Sequence, residues 1–130
     1  MARVLIVDDD EDFRDVVQVI LEATGHEIQI APDGRVALRI FTDWHPDVVL
    51  LDMFMPNMDG LETVVAMRKT SSAVKIIAMS GGWGRPDDQS AALQVTDQAR
   101  ALGANAALAK PFDRNVLRQM VDAMTGPESA

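Results

Sequence analysis

The chain has 130 residues, 48% hydrophobic and 25% charged, so it can bury one sizeable core, is too short for two ordinary domains and lacks the composition of a disordered tail. A formal charge of -8 argues against direct nucleic-acid binding, which needs a basic stripe to track phosphates, and favours basic partners or metal cations. The absence of cysteine excludes disulfides, thiolate zinc sites and cysteine nucleophiles, while the lack of a membrane-length apolar run and of a secretory core leads to the expectation of a cytoplasmic protein that enters no membrane.

Residues 4–7, VLIV, form an uninterrupted apolar run typical of a strand buried on both faces, and Asp8 and Asp9 end it. Phe13, Val16, Val17, Ile20 and Leu21 then recur at helical spacing until Gly25, predicting a helix with those side chains inward. Asp10, Glu11 and Asp12 suit its amino terminus, where acidic groups contribute about 0.3 to 1 kcal/mol each. Ile28 and Ile30 alternate with Glu27 and Gln29, as in a strand with one wet face near a sheet edge. The turn Pro32-Asp33-Gly34 opens a helix whose inner stripe is Val36, Ala37, Ile40, Phe41 and Trp44.

Val48, Val49, Leu50 and Leu51 make another doubly buried strand, and Asp52 is the first polar residue after them. Pro56, Asn57, Asp59 and Gly60 form a turn cluster; Asp59 and Glu62 have capping-box spacing, with Leu61, Val64 and Val65 on the inner face of the helix that follows. Residues 74–79 predict a fourth strand, followed by a loop rich in Gly and Pro and a helix running to about Leu102, where Gly103 stops it. The alternating rhythm then requires a strand over residues 106–109, against the helix preference of its alanines. Asp113 can cap a last helix carrying Val116, Leu117, Met120, Val121 and Met124, and residues 126–130 are expected to fray. His26 and His45 fall outside every pattern and are expected in loop or surface roles.

Strands alternating with helices imply an α/β fold, a doubly wound five-stranded parallel sheet with helices on both faces. Such sheets place their ligands at the carboxyl ends of the strands, and this edge collects Asp8, Asp9, Asp52, Ser80 and Lys110. Carboxylates gathered there repel: at an effective dielectric of 20, a pair about 4 Å apart costs on the order of 4 kcal/mol. The cluster therefore suits a hard cation, Mg2+ or Mn2+, that accepts oxygen ligands. A carboxylate needs no general base to act as a nucleophile, so Asp52 can attack an activated phosphorus while Ser80 and Lys110 hold the phosphoryl oxygens. Taken alone, each has a plainer role: an aspartate caps a loop, a serine makes a turn, a lysine is solvated.

The runs VLIVDDDED, VVLLDMFMPNMDG, IIAMSGG and LAKPF, in this order, resemble the receiver domain of bacterial response regulators over roughly residues 3–125. The resemblance implies a flavodoxin-like strand order 2-1-3-4-5 and a receiver domain over residues 1–125. It implies that Asp52 takes a phosphoryl group from a histidine kinase, with Asp9 binding Mg2+ directly, Asp8 mainly through water, and the backbone carbonyl of Phe54 adding a ligand. Ser80 would bond the phosphoryl group and Lys110 would pair with it, Pro111 completing the family's Lys-Pro pair. No output domain is expected after the receiver, so the protein would act by docking through its fourth helix, fifth strand and fifth helix, or as a shuttle passing phosphate to a histidine phosphotransfer protein.

Two departures bear on how the switch is read. Many receivers carry Tyr or Phe three residues before the lysine, whereas this chain has Ala107. The segment Gly81 to Asp88 is also longer than the resemblance leads one to expect, and Trp83 within it is the expected substitute reporter of phosphorylation. Two rival functions remain. Residues 4–10 also fit the opening motif of a haloacid dehalogenase-type phosphohydrolase with Asp8 as nucleophile, but that family needs an acidic pair after its lysine, and Asp113 and Asp122 stand apart on a helix pattern. A receiver-like module that binds its partner constitutively is the other.

Overall fold

Strands and helices alternate along the chain in the computed structural model, which describes residues 2–53, 60–81, 97–110 and 112–125. The elements are β1 (Arg3–Val7), α1 (Glu11–Glu22), β2 (Glu27–Ala31), α2 (Gly34–Trp44), β3 (Val48–Asp52), α3 (Gly60–Thr70) and β4 (Lys75–Gly81), then a helix α4 described over residues 97–102, β5 (Ala106–Lys110) and α5 (Arg114–Met124). The five strands form the expected parallel sheet in the order β2-β1-β3-β4-β5.

Side chains on a strand point alternately to opposite faces, so each central strand feeds two cores. On one face Leu5 and Val7 of β1, Val49 and Leu51 of β3, and Ile76 and Ala78 of β4 pack with Ala37 and Phe41 of α2, Val64 and Met67 of α3, and Ala99 of α4. On the other, Val4, Ile6, Val48, Leu50, Ile77 and Met79 pack with Val17 and Leu21 of α1 and Leu117 and Val121 of α5. Every residue of β3 is buried, which is what an apolar run without alternation requires. Each fully buried Val or Leu there contributes about 1.5 to 3 kcal/mol.

Three of the helix starts are set by aspartates. Asp10 caps α1 by accepting from the Phe13 N–H, and Asp113 caps α5 by accepting from the Asn115 N–H. Asp33, expected only as a turn residue, is the cap of α2 and accepts from the Val36 N–H at 3.0 Å. At the far end of α2, His45 stands in the left-handed region with φ 55, where its N–H reaches the Phe41 carbonyl. The proposed cap Asp59 lies outside the described residues.

Two valines depart from the expected pattern, and one histidine meets it only in part. Val16, placed on the inner face of α1 by its spacing, is 59% exposed, as Val19 is at 67%, so the stripe that packs is the narrower one through Phe13, Val17, Ile20 and Leu21. Val116 of α5 is likewise exposed. His26, expected in a loop or surface role, does lie in the loop between α1 and β2 but is only 8% exposed: its Nδ1 accepts from the Ala2 N–H at 3.1 Å and its Nε2 lies 3.5 Å from Asp122 of α5.

Arg68, in the last turn of α3, joins segments that the sheet alone does not join. Its guanidinium donates to the carbonyls of Gly103, Ser71 and Val74 and to Oδ1 of Asn105, and the same Asn105 oxygen accepts from the Ile76 N–H. The approach to β5 is thereby tied to α3 and to the start of β4. Burial pushes the Arg68 pKa below its ordinary value.

Candidate functional site

Strand register brings the acids together. Val7 of β1 stands opposite Leu51 of β3, so the next residue on each strand, Asp8 and Asp52, emerges at one sheet edge. Asp8 is fully buried, Asp52 is 2% exposed and Asp9 faces solvent. One carboxylate oxygen from each of the three lies within 4.8 Å of the others. All three sequence-predicted acids therefore converge.

The backbone holds Asp8 in place. Its N–H donates to the Ala31 carbonyl at 3.1 Å, extending the β1–β2 ladder, and its Oδ1 accepts from the Asp10 N–H at 2.9 Å. Arg14 reaches back from α1 to the Asp8 carbonyl at 3.3 Å, and among the described residues its buried Nε has no hydrogen-bond partner. Asp10, by contrast, is spent on capping α1. Met53 continues the ladder past Asp52, its N–H donating to the Met79 carbonyl at 2.9 Å.

Register also places the other two predicted residues. Asp52 pairs with Met79, so Ser80 is the next position on the neighbouring strand, and Ser80 and Gly81 pair with Ala109 and Lys110. Ser80 and Lys110 thus sit at the carboxyl ends of β4 and β5, on the same sheet edge as the acids. Ala107 pairs with Ala78 and is half-buried. Phe54, Pro111 and Trp83 lie outside the described residues, as does most of the Gly81 to Asp88 segment.

The donor set decides what could bind. Three carboxylates, two of them buried, offer only oxygen ligands, carry no soft donor and crowd negative charge into a place of low dielectric. That chemistry fits a hard divalent cation. Sequence reasoning finds this cluster because the strand ends announce it, but it misses Arg14, whose contact is with a backbone carbonyl and has no motif.

Comparison with known proteins agrees. The chain matches the response regulator receiver domain over residues 4–122, and it belongs to that family. It is 35% identical to the regulatory protein AtoC of Escherichia coli over 119 residues, 92% of this chain but 24% of that protein. It is 34% identical to sporulation initiation phosphotransferase F of Bacillus subtilis, over 92% of this chain and 90% of that one. Among solved structures, the chemotaxis protein CheY4 of Vibrio cholerae superposes with a TM-score of 0.82 at 32% identity, covering 95% of this chain and 98% of the other. The family matched is not that of the dehalogenase-type phosphohydrolases.

Proposed function

We propose that the protein is a phosphoacceptor switch of a two-component system, in which Asp52 takes a phosphoryl group from the phosphohistidine of a histidine kinase. The convergence of Asp8, Asp9 and Asp52 at one sheet edge carries this reading. Asp8, Asp9, Asp52 and the backbone carbonyl of Phe54 would hold Mg2+, with Mn2+ as a substitute of similar preference. A bound Mg2+ supplies positive charge where negative charge spreads over the phosphoryl oxygens.

An Asp52 carboxylate oxygen attacks phosphorus, the bond from phosphorus to the kinase imidazole nitrogen breaks with its electron pair left on the ring, and an aspartyl phosphate forms. The Lys110 ammonium and the Ser80 hydroxyl at the adjoining strand ends bind the transferred oxygens. Water later cleaves the new oxygen–phosphorus bond, returning the carboxylate and inorganic phosphate. The burial of Asp52 limits the access of that water. In this reading the chain catalyses only its own phosphorylation and a slow loss of phosphate, and residues 1–125 act as the working unit.

Phosphorylation would change docking at the face formed by α4, β5 and α5, with a downstream protein as partner. The acidic charge of -8 speaks against direct DNA contact. A cytoplasmic location is proposed with it; among the described residues no helix is long and apolar enough to cross a membrane. One observation favours a second reading, a shuttle in a phosphorelay: the chain covers 90% of sporulation initiation phosphotransferase F.

The test is intact mass spectrometry after incubation with Mg2+ and acetyl phosphate. One added phosphoryl group on the wild-type chain, absent from Asp52→Asn, is the expected result. An adduct that persists in Asp52→Asn, or none in either, refutes the assignment.

A further inference from the structure

Gly60 opens α3, where an alanine would serve the helix better, and its backbone does not require glycine. Among the described glycines, Gly25 and Gly103 occupy positive φ, and Gly60 does not. What singles out Gly60 is proximity: a Cβ there would lie 2.6 Å from the Met53 Cα, 2.6 Å from the Met53 Cε and 2.8 Å from the Asp52 carbonyl oxygen. The first and third of these atoms are main chain, so no side-chain rotation can clear the space.

The neighbouring elements leave few places for that strain to go. Thr63, Val64 and Met67 fix α3 from the core side, all fully buried. Asp52 is registered against Met79, and the Met53 N–H is bonded to the Met79 carbonyl. Relief of the clash must fall on the first turn of α3 or on the Asp52–Met53 backbone that it meets, and the second of these carries the Asp52 carboxylate.

We infer that Gly60 is a positioning residue for the phosphoacceptor: its missing side chain lets α3 close on the Asp52–Met53 backbone and so sets Asp52 against Asp8 and Asp9. The inference rests on the function proposed above. Mg2+ demands near-ideal octahedral geometry, and a 1 Å misplacement of a reacting group costs about a hundredfold in rate, so a displacement of a few tenths of an ångström at Asp52 has measurable consequences.

The test compares wild type, Gly60→Ala and Gly103→Ala, the last being a glycine whose Cβ would first strike the Arg68 side chain, at the start of β5 and away from the acids. Mg2+ affinity is read by calorimetry, stability by thermal unfolding, and acetyl phosphate labelling by mass. Gly60→Ala is expected to bind Mg2+ about tenfold or more weakly and to label more slowly. Gly103→Ala is expected to lose stability while keeping its Mg2+ affinity within about twofold, because its strain is at φ 129 and not at the site. Wild-type Mg2+ affinity in folded Gly60→Ala overturns the inference alone, whereas a wild-type chain that takes no Mg2+ overturns the proposed function as well. If Gly60→Ala does not fold, Mg2+ titration of the wild type by amide NMR decides: the Gly60 resonance must move with those of Asp52 and Met53 at one dissociation constant, and a stationary Gly60 beside a moving Asp52 overturns the proposal.

Discussion

Asp8 shows how a residue is held where its charge is least welcome. It is fully buried beside two further carboxylates, yet two backbone hydrogen bonds, one given to Ala31 and one taken from Asp10, keep it there. An amide in its place can accept the same bond from Asp10 without the charge. Asp8→Asn is therefore predicted to stabilise the metal-free protein by roughly 1 to 2 kcal/mol, a trade of stability for function seen at many active sites. Added Mg2+ should raise the wild-type unfolding midpoint, by an amount equivalent to about 2.7 kcal/mol when its concentration is a hundred times the dissociation constant, and should leave Asp8→Asn almost unmoved. Thermal unfolding with and without Mg2+ checks both; a less stable Asp8→Asn would mean that the hydrogen bonds to the charged carboxylate outweigh the repulsion around it. The acids were legible because they follow apolar runs that can only be strands. Gly60 was legible only as a turn residue, since the atoms it must avoid, in Asp52 and Met53, are brought near by tertiary folding. The loop position of His26 was legible but its burial was not, for the same reason: its partners Ala2 and Asp122 lie far away in sequence.

Among the elements, α3 acts at both ends. Its start bears on the end of β3, and its last turn delivers Arg68 to four acceptors around the β4 and β5 starts. A planar guanidinium can serve acceptors spread over such an arc, whereas an ammonium is a single point of donation. Arg68→Ala is predicted to cost about 2 to 4 kcal/mol through the acceptors it strands, and Arg68→Lys to recover less than half of that in a urea titration. Burial makes the charged form costlier in the folded chain than in the unfolded one, but the group is protonated in both states near neutrality. That penalty is constant there and lifts only at strongly alkaline pH, so the effect of Arg68→Ala should not vary between about pH 6 and 8, a window taken well below any arginine titration. At this scale strand positions were read well, because period and composition agree. The inner face of α1 was read too broadly: Val16 satisfies the spacing rule but lies at the rim of the stripe, and a spacing rule has no knowledge of how far the sheet extends beneath it.

For the molecule as a whole, the order β2-β1-β3-β4-β5 makes β3 the centre, buried throughout, and leaves β5 on the rim, paired among the described residues only to β4. The sequence pattern leads to five parallel strands, while the order itself came by resemblance, since nothing in a local run of residues says which strand it will lie beside. β5 is built mainly from alanines, with Ala109 exposed and Ala107 half-buried, so it draws little hydrophobic adhesion from its neighbours and leans on the Asn105 and Arg68 contacts at its start. Such a border should detach first: in native-state hydrogen exchange, β5 amides are predicted to open at a free energy at least about 2 kcal/mol below those of β3. Equal protection of the two strands would contradict this. A seam that unzips cheaply at the margin while the middle stays closed lets one side of the protein be remodelled by a small input of energy, without the remainder coming undone.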